Sequence, residues 1–93
     1  MALQFEWDQR KSRLHFQKHG VSFEEAKTVF NDPLAITIPD PDHSEDEDRF
    51  LDIGISSNGR LLVVWYTERK NHIRVIGGRK AAAPERKFYE GKR

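Results

Sequence analysis

Residues 49–66, Arg49-Phe50-Leu51-Asp52-Ile53-Gly54-Ile55-Ser56-Ser57-Asn58-Gly59-Arg60-Leu61-Leu62-Val63-Val64-Trp65-Tyr66, read as two strands folded about a tight turn. In the first arm Leu51, Ile53 and Ile55 recur at every second position, which in an extended chain puts them on one face. Ser57-Asn58-Gly59 supplies the turn, because Asn and Gly accept the positive φ that a tight hairpin needs. The second arm is apolar without alternation from Leu61 to Tyr66, the pattern of a central strand covered on both faces. This hairpin is the seed of the fold.

On its N-terminal side, Leu34 to Ile38 reads as a strand closed by Pro39, and Asp40 to Asp48 is too acidic and turn-rich to be anything but a solvated loop. On its C-terminal side, Lys70-Asn71 marks a second turn before a strand from His72 to Ile76. The chain then passes through Gly77-Gly78 into Ala83-Pro84-Glu85, where the fixed φ of Pro84 suits the first turn of a closing helix anchored by Phe88 and Tyr89.

At the start of the chain, Leu3-Gln4-Phe5-Glu6-Trp7 alternates, so a short strand is expected to turn Leu3, Phe5 and Trp7 inward. Asp8 is a helix N-cap for Gln9 to Lys18, and Gly20 is a natural stop. Ser22 and Glu25 form a capping box for a second helix that buries Phe23, Ala26, Val29 and Phe30. That helix ends at Asn31-Asp32-Pro33, because Pro disfavours the α conformation at Asp32. The expected architecture is α+β in one domain over 1–93: a short N-terminal strand, two helices, a four-strand antiparallel meander and a C-terminal helix. Phe5, Trp7, Phe16, Phe23, Phe30 and Trp65 are expected in the core, and Tyr66 and Tyr89 too.

Ninety-three residues suffice for one core. The absence of cysteine excludes disulfides, cysteine zinc sites and thiol nucleophiles, and fits a reducing cytoplasm. Met1 to Asp8 lacks the charged-then-apolar pattern of an export signal, and no apolar run reaches membrane-spanning length, so a cytoplasmic protein is expected. A net charge of +1 conceals strong asymmetry: residues 31–52 hold eight acids and one base, Arg49, whereas residues 53–93 hold ten bases and three acids. Such a basic half points to a polyanion, to a charged protein partner or simply to solvated faces.

These residues also carry a resemblance. Phe5-Glu6-Trp7-Asp8 with Lys11, Lys18-His19-Gly20-Val21-Ser22-Phe23-Glu24-Glu25-Ala26 and Val29-Phe30-Asn31-Asp32-Pro33 look like the BrnT family. Further matches are His43-Ser44 followed by Glu47 and Arg49, Ile53-Gly54-Ile55-Ser56, Gly59-Arg60-Leu61-Leu62-Val63-Val64 and Tyr66-Thr67-Glu68-Arg69. Ile73-Arg74-Val75-Ile76, Arg79-Lys80-Ala81 and Glu85-Arg86 complete them in the same order. The resemblance implies a RelE-like ribonuclease toxin of a type II toxin–antitoxin pair, inhibiting translation and neutralised by a small DNA-binding antitoxin similar to BrnA. It also implies that operator DNA is bound only by the hetero-oligomer with that antitoxin. Gln9 stands where Pro is usual, His15 where Asn is common, and Gly77-Gly78 where a Ser-Ala type pair is usual. Gly77 lacks a hydroxyl that could support the site, which leaves a second reading: an inactive toxin fold that assembles with the antitoxin on DNA.

Metal-free RNA cleavage needs a base for the 2′-OH, cations for the crowded phosphate and an acid for the 5′ oxygen. Arg69, Arg74, Arg79 and Lys80 gather around the last hairpin and the helix entry. Ile73 and Val75 share one strand face, so Arg74 points to the other, where its bidentate fork suits a phosphate. Arg74, Arg79 and Lys80 are the candidate catalytic cations, and Lys18, Arg60, Arg69 and Arg86 the candidate phosphate contacts. Glu68 is the candidate carboxylate, with a surface ion pair as its alternative. His19 has two readings, an acid/base group or a cation stabilised at a helix C-terminus. Tyr89 has an RNA contact as its alternative to packing. His15 and His19 are spaced i, i+4, but without a third ligand they read as ordinary helix histidines. Asp40, Asp42 and Ser44 fail as a calcium loop because Glu45 sits where Gly is needed and Leu51 where Glu is needed. No metal or cofactor is expected.

Overall fold

A computed structural model describes residues 4–40 and 47–91. The expectations for Leu3, for most of the acidic loop and for the His43-Ser44 motif lie outside these residues. The elements follow in the order β1 (Gln4–Glu6), α1 (Gln9–His19), α2 (Phe23–Ala26) with a 3-10 turn (Lys27–Asn31), β2 (Ile36–Pro39), β3 (Arg49–Ile55), β4 (Leu61–Arg69), β5 (His72–Lys80) and α3 (Ala83–Gly91). The strands form one sheet in the order β1-β5-β4-β3-β2. The antiparallel meander is as read from the sequence. β1 then adds parallel to β5, from Gln4 opposite His72 to Glu6 opposite Arg74, so the sheet has five strands and is mixed. Alternation identifies a strand but not its partner, which is why the sheet came out one strand wider than expected.

The helix ends follow the sequence. The Asp8 carboxylate accepts the N–H groups of Arg10 (2.9 Å) and Lys11 (3.3 Å), and Gly20 closes α1 at φ 73°. Ser22 accepts the Glu25 N–H at 3.1 Å, which is half of a capping box. The other half is missing, because the Glu25 carboxylate turns into the core to meet Ser56 and Arg60. The second helix therefore keeps one α turn and tightens to a 3-10 turn before Asp32.

Two apolar layers flank the sheet. Val21, Phe23, Ala26 and Val29 pack on Leu62, Val64 and Val75, with Phe5, Trp7 and Phe30 beside them. On the opposite face Tyr89 of α3 packs with Ile53, Leu61 and Val63, with Trp65 and Leu51 at the margin. β4 is thus covered on both sides, as its unbroken apolar run requires. Tyr89 anchors α3 and donates its hydroxyl proton to Asp32 at 2.7 Å, whereas Phe88 is 41% exposed.

α1 departs from an amphipathic helix. Phe16 and Leu14 are 56% and 57% exposed, and the inward stripe is Ser12, His15 and His19. Ser12 is the residue that docks the helix, its buried hydroxyl oxygen accepting the Phe23 N–H at 3.0 Å. The expectation of Phe16 in the core fails because a hydrogen bond, not an apolar seam, sets the face.

β5 is longer than the apolar pattern suggested and runs through Gly77-Gly78 to Lys80. Trp65 pairs with Gly77 and Tyr66 with Val75, leaving Ile76 as the extra residue of a bulge. The two glycines are strand residues under close cover: a Cβ on Gly78 would lie 3.3 Å from Ala26 and 3.4 Å from Val21. Gly54 is tighter still, with Val29 at 2.9 Å and Ala35 at 3.0 Å from such a Cβ. Gly54→Ala is expected to cost about 1–3 kcal/mol by overpacking, read as a lowered midpoint in urea with an unchanged slope.

Candidate nucleic-acid interface

α3 covers one end of its sheet face, over Ile53, Leu61 and Val63. The other end carries a polar rung across four strands, in which Glu6 pairs with Arg74, Arg74 with Thr67 and Thr67 with Arg49. Alternation places the rungs Gly77–Trp65–Leu51 and Arg79–Val63–Ile53 on the same face. Trp65 therefore lies between Arg49 and Arg74 below and Arg79 above. Val63 and Thr67 are four residues apart, so the two cationic rungs are separated by roughly 13 Å of strand.

Each arginine is held. The Arg79 guanidinium sits 5.2 Å from the Trp65 ring centre and donates to Glu85 at 2.8 and 2.6 Å. Glu85 also accepts the Ala82 N–H at 2.8 Å, so the helix entry and the arginine are positioned by one carboxylate. The guanidinium of Arg79, more than any other neighbour, holds the Glu85 carboxyl below its usual range. Arg74 donates to Glu6 at 3.0 Å, and Arg69 forms a fork on Glu47 at 2.6 and 2.8 Å while standing 3.6 Å from Glu6. The Arg69 hydrogen bonds likewise lower the Glu47 carboxyl.

Beside this face runs a cleft of about 680 Å³, lined by Lys11, Leu14, His15, Gln17, Lys18 and His19 of α1 and by Arg49 and Ile76 of the sheet. An adjoining hollow of about 310 Å³ shares His15, Arg49 and Ile76 with it and adds Trp65 and Gly77. Two buried side-chain polar atoms among the described residues lack a hydrogen-bond partner, His15 Nδ1 and Thr67 Oγ1. Both border this surface.

The sequence candidates divide accordingly. Arg69, Arg74 and Arg79 share the face, and Lys18 and His19 line the cleft beside it. Lys80 is exposed and alternates to the opposite side from Arg79. Glu68 pairs with Ile73 and lines a different cavity, of about 450 Å³, with Phe30, Asp52, Tyr66 and His72. Alternation turns Glu68 and Arg74 to opposite faces of the sheet. Arg60 is committed elsewhere, donating to both carboxylate oxygens of Glu25 and to the Gly20 carbonyl at 2.8 Å. Arg86 is exposed on α3, 4.0 Å from Glu90. In that other cavity Asp52 accepts from Thr37 (2.7 Å) and Tyr66 (3.0 Å), and burial pushes the Asp52 carboxyl and the Tyr66 hydroxyl up.

Reading residue by residue missed His15, Arg49, Trp65 and Lys11. Arg49 carried a signal as the one base in an acidic segment. Trp65 was hidden in an apolar run. His15 carried the i, i+4 spacing with His19, and their rings are indeed 5.7 Å apart, but the position of His15 over Gly77 depends on a contact 62 positions along the chain.

A family profile described as ribonuclease toxin, BrnT, of type II toxin-antitoxin system matches residues 7–85. The chain belongs to the BrnT family. It is thereby a member of a family of ribonuclease toxins that have an antitoxin protein as partner. The structure is similar to the crystal structure of the Brucella abortus ribonuclease toxin BrnT, with a TM-score of 0.67 and 20% identity over 87% of this chain and 99% of that one. At that identity the likeness establishes the BrnT fold and not the site. No curated protein sequence matches the chain significantly. Among the described residues no helix is long and apolar enough to cross a membrane.

Proposed function

We propose that this BrnT-family chain is a metal-independent endoribonuclease that holds RNA on the open sheet face, inhibits translation and is neutralised by a small DNA-binding antitoxin. The observation that carries this reading is the arrangement of Arg49 and Arg74 on one side of Trp65 and Arg79 on the other, on a face α3 leaves open. Bidentate guanidinium groups match phosphate oxygens, and stacked Arg–Trp surfaces accept bases of any sequence. Charge stabilisation of this kind is the largest contribution a site with few acid/base groups can make. Lys18 and Lys11 extend the cationic track along α1, and operator DNA is bound by the complex with the antitoxin rather than by the toxin.

Incubating the purified chain with single-stranded RNA in EDTA tests the proposal. Metal-free cleavage with steep loss at higher salt is expected, since each phosphate contact on a single strand contributes about −0.7 to the slope of log K against log salt. Intact RNA with a folded protein would refute it. A second reading has its own observation: Arg69, Arg74 and Arg79 each already hold a carboxylate. If those ion pairs persist, the chain is an inactive binding module whose role is assembly with the antitoxin on operator DNA, and it would cause no growth arrest when expressed alone.

A further inference from the structure

Resting on the ribonuclease reading, we infer that His15, seated in the space left by the missing side chain of Gly77, is the group that takes the 2′-OH proton. A Cβ on Gly77 would lie 3.3 Å from His15 Cε1 and 3.6 Å from the Trp65 ring. The imidazole thus occupies the edge of β5 where the cationic face and the α1 cleft meet. It is half-buried, packed at 5.1 Å against the Phe23 ring, and it lines both hollows together with Arg49 and Ile76. His15 of α1 and Gly77 of β5 therefore lie side by side, with the ring against the space that a side chain on the glycine would take.

The two ring nitrogens are not equivalent. Nδ1 is shut off from solvent and has no hydrogen-bond partner, whereas Nε2 is not among the buried orphans. The Gly78 backbone is the one neighbour that favours a proton on the ring. A proton on Nδ1 leaves the Nε2 lone pair as the base. The groups facing the ring are all cationic or neutral: Lys11, Lys18 and His19 on α1, Arg49 from β3, Trp65 from β4, the Ile76–Gly78 backbone from β5 and Phe23 from α2. Burial first, then His19 and the two lysines, hold the imidazole below the ordinary histidine range, so it is neutral and proton-accepting at pH 7.

The step balances without a metal. Nε2 of His15 takes the 2′-OH proton, the 2′ oxygen bonds to phosphorus, and the P–O5′ bond breaks. The 5′ oxygen takes a proton from water, leaving a 2′,3′-cyclic phosphate and a 5′-hydroxyl, and the imidazolium returns its proton to solvent. Arg49 and Arg79 neutralise the phosphate oxygens meanwhile.

The test is the pH–rate profile of RNA oligonucleotide cleavage by the wild type, His15→Asn and Gly77→Ala, each checked for folding by thermal melt. His15→Asn is expected to lower kcat about 100-fold with KM nearly unchanged and to remove the acidic limb of the profile. Gly77→Ala leaves the ring in place but crowds it, and is expected to lower kcat roughly tenfold, with no further loss in the double variant. Should His15→Asn fail to fold, the Gly77→Ala profile decides alone, an unchanged kcat overturning the inference. A wild type that cleaves and a folded His15→Asn with the same kcat and the same acidic limb also overturn it while leaving the ribonuclease reading intact. A wild type that does not cleave overturns both.

Discussion

Arg60→Ala is expected to cost about 3 kcal/mol of stability, the low end for removing one partner of a buried ion pair. Arg60 donates through Nε to Glu25 at 2.9 Å and through Nη2 to the second carboxylate oxygen, while the same Nη2 reaches the Gly20 carbonyl at 2.8 Å. The Glu25 side chain is only 7% exposed, and it also accepts the Ser56 hydroxyl at 2.7 Å. Removing the guanidinium leaves a buried carboxylate with only the Ser56 hydroxyl and the Asn58 side chain as donors, and frees the α1–α2 turn from the hairpin that leads into β4. Arg60 itself is a third exposed, which moderates the loss. For a domain of this size the melting midpoint should fall by roughly 12–24 °C.

The pH dependence of that variant carries a sign that can be checked. In the wild type, Arg60 above all holds the Glu25 carboxyl below its ordinary value. Such a group contributes stability that is present above its unfolded pKa of about 4.3 and is lost as pH falls through the lower folded value. Without Arg60, burial dominates and the folded value rises, so protonation favours the folded variant. The gap in melting midpoint between wild type and Arg60→Ala should therefore narrow as pH falls from 7 through the carboxylate range. Asp52, raised by burial, gains stability on acidification in both proteins and cancels from the difference. A gap that stays constant with pH would remove Glu25 from this account.

Arg79→Ala should lower kcat/KM for RNA cleavage by about 10²–10³, the cost of deleting one preorganised donor to a developing anion. The effect on folding is expected to be small, because Glu85 keeps its bond to the Ala82 N–H and both partners lie near the surface. Arg79→Lys keeps the charge but loses the fork on Glu85 and the stacking on Trp65, and should recover only part of the rate. The Ala variant should also flatten the salt dependence of RNA binding, by about 0.7 in slope, whereas the Lys variant should leave it unchanged. Cleavage by Arg79→Ala at the wild-type rate would exclude this arginine from the site.

How far the site was legible follows from the range of the interactions. The face of Arg74, opposite Ile73 and Val75, is legible in the sequence because strand alternation is local. Glu68 stands beside Arg69 in the sequence, yet adjacent strand residues point to opposite faces, and its cavity lies across the sheet. Arg60 counted as a cation until Glu25, 35 positions away, claimed it. His15 and Gly77 each looked like an isolated departure until the packing of α1 against β5 brought them together.

What the sequence determined by itself is the set of elements and the meander. Caps at Asp8 and Ser22, the turn at Asn58-Gly59 and the apolar run of β4 are decided within a few residues by φ/ψ preference and hydrophobic periodicity. What only the tertiary structure decided is how those elements meet: β1 parallel on β5, the bulge at Ile76, Ser12 rather than Phe16 as the buried residue of α1, and the pairing of each arginine with its carboxylate. Those depend on which backbone groups and charges must be satisfied once distant segments are packed, and no local pattern carries that information.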